Sequence, residues 1–85
     1  MYVYILKSKK NGSFYVGSTQ NVEERIVSHN KGANLSTKAK IPWILVRCEE
    51  YHNISLALKR ERFLKSGVGR RVLRNLCTSL GKKVL

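Results

Sequence analysis

The sequence predicts a small α+β domain, a three-stranded antiparallel sheet with helices packed on it in the order β-β-α-β-α-α. Three observations predict it. Short runs rich in Tyr, Val, Ile and Trp alternate with stretches whose apolar residues recur at helical spacing. An Asn11-Gly12 turn separates the first two runs. Glycines at 32, 67, 69 and 81 punctuate the helical stretches. With 85 residues, the chain is read as one domain spanning 1–85, without room for a second core. A chain of this length buries only about 60% of its unfolded surface, so its core is thin.

Tyr2 to Lys7 alternates large apolar and aromatic residues and reads as the first strand. Phe14 to Ser18 is the returning strand. Asn21 followed three residues later by Glu24 resembles a capping box, opening a helix over Val22 to Asn30 that Gly32 ends as the C′ residue. Lys31 to Lys40 is polar and reads as a loop. Beyond Pro42, Trp43 to Tyr51 is the third strand. Asn53 or Ser55 caps a second helix reaching Ser66, which Gly67 and Gly69 terminate. A third helix over Arg70 to Leu80 has Val72, Leu73, Leu76, Cys77 and Leu80 on one face and Arg70, Arg71 and Arg74 on the other. Gly81 ends it.

Seventeen Lys and Arg against five acids give a formal net charge of +12, which attracts polyanions. Nine of the basic residues fall between Lys59 and Lys83, where Glu61 is the only acid. That asymmetry favours a dedicated phosphate-binding face, with Lys65, Arg70, Arg71, Arg74, Lys82 and Lys83 as its candidates. No apolar run approaches the length of a membrane span and no leader pattern stands at the N-terminus, so the expected compartment is the cytoplasm. Cys48 and Cys77 lack partners at metal-ligand spacing and are expected to be reduced and buried.

The residues that could carry chemistry are phenols, a guanidinium, an imidazole and one carboxylate. A two-residue Asn11-Gly12 turn would pair Tyr4 with Thr19, leaving Tyr4 and Tyr15 on one face but roughly 13 Å apart along the ladder. A longer loop or a bulge would bring the phenols opposite each other, so a shared site requires a different turn. Arg25 and His29 stand four apart beside Val22 and Ile26, at the edge of the buried stripe of the first helix. Glu61 lies on the stripe of Ala57 and Leu64, where an acid needs a cationic partner such as Arg25, Arg60 or Arg62. Alternatively it is a single carboxylate ligand for Mg²⁺, which keeps several waters. Arg60 also falls in the apolar arc, and the sequence offers no reason for it. Tyrosine is a poor base at its ordinary pKa of about 10, and Arg25, His29, Lys7 and a metal are the candidates to lower it.

At these residues the chain resembles a GIY-YIG nuclease domain, especially its small single-domain members. Tyr2-Val3-Tyr4 stands at the GIY triplet, with Tyr2 replacing Gly, and Tyr15-Val16-Gly17 stands at YIG. Arg25, His29-Asn30 and Gly32 resemble the family's first helix, and Thr37 with Pro42-Trp43 resembles the segment before its third strand. Ala57, Arg60-Glu61 and Leu64-Lys65 resemble the helix bearing the metal-binding Glu. The resemblance implies hydrolysis of DNA phosphodiester bonds with one divalent metal, Mg²⁺ or Mn²⁺, on Glu61. It implies that Arg25 neutralises transition-state charge. Tyr4 or Tyr15 would take the proton from water, with His29 as relay, and Tyr4 is favoured because it can share a site with His29. Lys7 and Ser18 join the candidate DNA contacts. Two departures stand out: Ser18 occupies a position where some members have Lys, and the Asn that many carry after the metal Glu has no match, the comparable region being the apolar face around Leu73. The implied partner is branched, nicked or duplex DNA, cut with structure specificity or weak sequence specificity in repair or processing. Two other readings fit the charge: a non-catalytic nucleic-acid-binding module on the same fold, and a module docking on an acidic protein or membrane surface.

Overall fold

Tyr2–Ser8 is apolar at successive rather than alternate positions, the mark of a strand covered on both faces. In the computed structural model, which describes residues 1–80 with side chains through Leu76, this strand (β1) is the centre of the sheet. Phe14–Thr19 (β2) and Trp43–Glu50 (β3) pair with it antiparallel on either side, in the order β2-β1-β3. Val3, Ile5 and Val16 face Ala57, Leu64 and Leu73 from Ile54–Lys65 (α3) and Gly67–Leu80 (α4). Tyr4, Leu6 and Trp43 face the other way, against Val22 and Ile26 of Val22–Asn30 (α1). The sheet is thus covered by helices on both sides, in the predicted α+β arrangement and order.

The β1–β2 turn is not the two-residue one. Ser8 N–H donates to Ser13 O at 2.8 Å and Gly12 N–H to Ser8 O at 2.9 Å, leaving a four-residue loop of Lys9, Lys10, Asn11 and Gly12. The buried Ser8 hydroxyl shapes it, accepting from the N–H groups of Lys10 and Asn11 while donating to Lys40 O. Only Gly12 takes a positive φ, +78°, so Asn11 does not enter the left-handed region that a type I′ turn needs at both positions. The resulting register sets Tyr4 opposite Gly17 and Leu6 opposite Tyr15.

Several termini follow the sequence and others correct it. Asn21 caps α1 through its side chain, accepting from Glu24 N–H at 3.1 Å, and Gly32 takes φ +80° just beyond the helix. The reciprocal half of the capping box is supplied by Thr19, whose hydroxyl accepts the Asn21 N–H. Asn53 rather than Ser55 caps α3. The expected loop at 31–40 contains one helical turn, Leu35–Lys38 (α2), capped by Asn34. Gly67 and Gly69 do not end α3. Ser66 ends it in an extended conformation, and its hydroxyl accepts from Gly69 N–H inside the first turn of α4. Gly69 belongs there because any Cβ would run into the Phe63 carbonyl. α4 therefore begins at Gly67 and not at Arg70.

Burial also departs from expectation. Cys48 is exposed, because β3 is an edge strand and α1 packs over Tyr4, Leu6 and Trp43 instead. The side chain of Cys77, and Gly81, Lys82 and Lys83, lie outside the described residues. Arg60, unexplained from sequence, reaches across to Glu49 of β3 with two hydrogen bonds, Nε to Oε1 at 2.9 Å and Nη2 to Oε2 at 3.1 Å. Burial pushes the Glu49 carboxyl up, but hydrogen bonds from Arg60, Arg47 and Tyr51 outweigh it and hold the pKa at about 2. This ion pair ties α3 to the edge of the sheet.

Candidate active site

Because opposed residues share a face, Tyr4, Gly17 and Tyr15 lie together on the α1 side of the sheet. Tyr4 and Tyr15 are diagonal neighbours with ring centroids 6.3 Å apart. The four-residue loop has removed the separation that a two-residue turn would impose. His29, on the last turn of α1, completes the cluster: its ring sits 4.9 Å from Tyr15 edge-on, and its Nε2 lies 3.0 Å from Tyr4 Oη. Gly17 makes this possible. Its missing side chain leaves the space in which the Tyr4 phenol lies, since a Cβ there would stand 2.5 Å from the phenolic oxygen.

The far side of His29 is held as well. Its Nδ1 lies 2.9 Å from Thr37 Oγ1 on α2, while the Thr37 carbonyl accepts from Trp43 Nε1 at 2.9 Å. Asn30 clamps the Trp43 backbone, accepting from its N–H at 2.7 Å and donating to its carbonyl at 3.0 Å. Thr37, Trp43 and Asn30 form a second layer behind the imidazole. Read from sequence, Thr37 enters only through the resemblance. Its link to His29 depends on the turn of α2, which a four-residue helix announces only through its Asn34 cap.

Electrostatics divide the roles. Burial pushes the Tyr4 phenol well above its ordinary value, Tyr15 and Glu61 add to the rise, and Arg25 offsets only part of it. The protein's own cations therefore do not deliver the expected lowering. Lys7 cannot supply it, because its side chain lies over the Phe14 ring at 5.7 Å, and Phe14 packs with the core on the α3 and α4 side of the sheet. His29 is held below its ordinary value by burial first and by Arg25 second. The imidazole is thus neutral near pH 7 and able to accept a proton.

Glu61 reaches the site from the other side of the sheet, at the open edge of β2. Ser18 donates to its Oε1 at 2.7 Å and Lys65 to its Oε2 at 2.8 Å. Its partner is Lys65, not Arg25, Arg60 or Arg62. Burial pushes the carboxyl up, but these two hydrogen bonds and the Lys65 charge outweigh it and keep it ionised below the usual range. The Lys65 side chain is 49% exposed and that of Glu61 18%, so this i,i+4 pair reaches the surface at its ammonium end and is worth only about 0.3–0.5 kcal/mol. It does not lock the carboxylate. Among the described residues no group of three or more His, Cys, Asp or Glu is placed to hold a metal. A caged transition-metal site does not fit. One ionised, partly exposed carboxylate oriented by a hydroxyl does fit Mg²⁺ or Mn²⁺, which bind through one or two carboxylates, waters and phosphate oxygens.

Two grooves flank this edge. One, of about 240 Å³, is lined by Thr19, Asn21, Glu24, Arg25 and Ser28, and brings the exposed Arg25 to the surface beside β2. The larger, of about 510 Å³, is lined by Ser13, Phe14, Tyr15 and Val16 together with Lys40, Lys65, Arg70 and Arg74. Lys65 also lies 5.9 Å above the Tyr15 ring. Lys40, on the stretch read as a polar loop, was not singled out in the sequence. Arg71 is exposed on α4 but does not line the groove. The Ser18 hydroxyl goes to Glu61. The structure thus gathers Tyr4, Tyr15, His29, Arg25 and Glu61 around one edge strand, and leaves Lys7 apart from them.

The family description GIY-YIG catalytic domain matches residues 1–74. This chain belongs to the GIY-YIG family, a nuclease superfamily. Among similar proteins, the UPF0213 protein of Staphylococcus haemolyticus is 46% identical over 66 residues, covering 76% of this chain and 79% of that protein. That of Clostridium perfringens is 43% identical over 65 residues, covering 75% and 69%. That of Staphylococcus aureus strain N315 is 39% identical over 74 residues, covering 86% and 89%. No solved structure matches the chain. No helix among the described residues is long and apolar enough to cross a membrane.

Proposed function

We propose that this GIY-YIG protein is a metal-dependent endonuclease that hydrolyses phosphodiester bonds in DNA, with structure specificity or weak sequence specificity, in repair or processing. One observation carries the reading: the buried Tyr4–His29 hydrogen bond lies over Gly17 of the edge strand that also presents ionised Glu61 through Ser18.

The Tyr4 phenol, raised in pKa, is not a ready phenolate. It works instead as a conduit, and the basicity belongs to neutral His29. As the attacking water gives a proton to Tyr4 Oη, the phenol passes its own proton to His29 Nε2. The water oxygen forms its bond to phosphorus, and the P–O bond to the departing sugar oxygen breaks, its electron pair leaving with that oxygen. The leaving oxygen takes a proton from solvent, and His29 returns its proton through Tyr4 to solvent. Positioned proton transfer of this kind contributes roughly 10²–10⁴-fold. Arg25 sits where it can neutralise charge developing on the phosphate, and Tyr15 packs beside both proton carriers to position water or phosphate. Glu61 would hold Mg²⁺ or Mn²⁺, which when bound polarises the phosphate and steadies the leaving oxygen. Lys40, Lys65, Arg70 and Arg74 would carry the flanking phosphates.

Purified protein with Mg²⁺ or Mn²⁺ should cut branched, nicked or plasmid DNA, and Glu61→Ala should abolish cutting. Cleavage that survives both Glu61→Ala and Arg25→Ala would overturn the proposal. The Glu61–Lys65 pair favours a second reading, a nucleic-acid-binding module in which the carboxylate serves the fold. DNA binding without cleavage across several divalent metals would support it.

A further inference from the structure

We propose that Thr37 is a positioning residue of this site: its hydroxyl fixes His29 in the tautomer that carries its proton on Nδ1, so that Nε2 is always the face presented to Tyr4. The inference rests on the phosphodiesterase reading for its catalytic meaning, while the tautomer is argued from the hydrogen-bond geometry around the ring.

Thr37 has one hydroxyl proton, and the Asn34 carbonyl lies 3.3 Å away as its acceptor. With its proton given to Asn34 O, the Thr37 oxygen is the acceptor toward His29 Nδ1, which stands 2.9 Å from it and then carries the hydrogen. The other end of the ring gives the same answer. Tyr4 is 2% exposed, and the His29 Nε2 atom is the partner of its hydroxyl. Were Nε2 protonated, it would donate to the phenolic oxygen, and the Tyr4 O–H would have to find an acceptor other than His29. No buried side-chain nitrogen or oxygen among the described residues is without a partner, and in the Nδ1–H tautomer the ring N–H and both hydroxyl protons each have an acceptor.

Thr37 is itself held rigidly. Its N–H donates to Asn34 O at 3.1 Å, and its carbonyl accepts from both Trp43 Nε1 and Lys40 N–H. Asn34 in turn caps the turn through Ser36 N–H at 2.9 Å. Thr37, His29 and Tyr4 are each buried, and direct contacts link them in the order Asn34 O, Thr37, His29, Tyr4. When Tyr4 hands its proton to Nε2, the resulting imidazolium still donates from Nδ1 to Thr37, and no hydroxyl need turn. A positioning group that is already correct before and after proton transfer costs no reorganisation during it.

The test is nitrogen NMR of the histidine rings in the intact protein, without DNA. In the wild type at pH 7.5, His29 should show a protonated Nδ1 and an unprotonated, pyridine-type Nε2. Thr37→Ser keeps the hydroxyl and should preserve this pattern. Thr37→Val removes the acceptor and should shift the ring toward the Nε2–H form or a mixture. On DNA with Mg²⁺, cleavage should fall roughly 10- to 100-fold in Thr37→Val, because part of the population then presents a donor to Tyr4, and should recover in Thr37→Ser. A wild-type ring protonated on Nε2 overturns the proposal even if the valine variant does not fold. So does an unchanged tautomer in folded Thr37→Val. A tautomer that responds as stated in a protein that cuts no DNA upholds the positioning and defeats the nuclease reading instead.

Discussion

Replacing Gly17 with alanine should damage this protein more than an ordinary strand substitution, and the structure gives the size of the effect. Gly17 has no positive φ, so its backbone is ordinary strand and alanine is not excluded on conformational grounds. In regular structure alanine is normally the better residue, by roughly 0.5–1 kcal/mol. Here the added Cβ would stand 2.5 Å from Tyr4 Oη and 2.7 Å from Cζ, where ordinary contact begins at 3.4 Å. The phenol must retreat by about 1 Å, and its hydrogen bond to His29, now 3.0 Å, is stretched beyond bonding range. Overpacking of this kind costs about 1–3 kcal/mol, which outweighs the propensity gain and leaves a net loss of about 1–2 kcal/mol. For a domain of this size each kcal/mol lowers Tm by roughly 4–8 °C, so a fall of roughly 5–15 °C is expected in a thermal melt followed by circular dichroism. In a Tyr4→Ala background the same substitution should cost nothing further, since the group it strikes is gone. Nuclease activity should drop on the order of 100-fold, as displacements near 1 Å do at reacting groups. A melt of Gly17→Ala within a degree of the wild type, or an equal loss in the Tyr4→Ala background, would refute the reasoning.

Two further expectations can be checked alongside it. His29 has its pKa lowered by burial and then by Arg25, so between its native pKa and the ordinary 6.5 the unfolded chain binds a proton that the native protein does not; stability therefore declines as pH falls below about 6.5. Urea midpoints at pH 7.5 and 5.5 should show that decline, and it should shrink in His29→Gln, whereas an identical pH dependence in both proteins would exclude His29 as its source. For DNA binding, Lys40→Ala and Arg70→Ala should each lower the log–log salt slope by about 0.9 on duplex DNA, while Arg71→Ala, which lies outside the groove, should leave it nearly unchanged. Equal effects of all three in a salt titration by fluorescence anisotropy would mean that the groove is not the footprint.

Elements with strong local signals were legible in the sequence. The aromatic and β-branched runs gave the strands, and Asn21 and the Asn53/Ser55 pair of candidates gave the helix starts, because an N-cap is decided within four residues. The turn at Asn11-Gly12 misled, since the buried hydroxyl of Ser8 and its bond to the distant Lys40 carbonyl select a longer loop. Gly67 and Gly69 misled for a similar reason: a glycine that allows two helices to approach has the same sequence signal as one that ends a helix. Arg60 and Glu49 stand eleven residues apart, and neither explains the other until α3 lies against β3.

Order of elements, the cluster of phenols, imidazole, guanidinium and carboxylate as candidates, and the surplus of positive charge were determined by the sequence itself, through periodicity, capping and composition. What only the tertiary structure decided is register and proton placement. A shift of the hairpin by a few residues moves Tyr4 and Tyr15 between strangers and neighbours, and that shift is set by long-range hydrogen bonds that local propensity does not encode. Burial then made the phenol a weaker acid and the imidazole a neutral acceptor, because the cost of charge depends on what surrounds a group in space rather than along the chain.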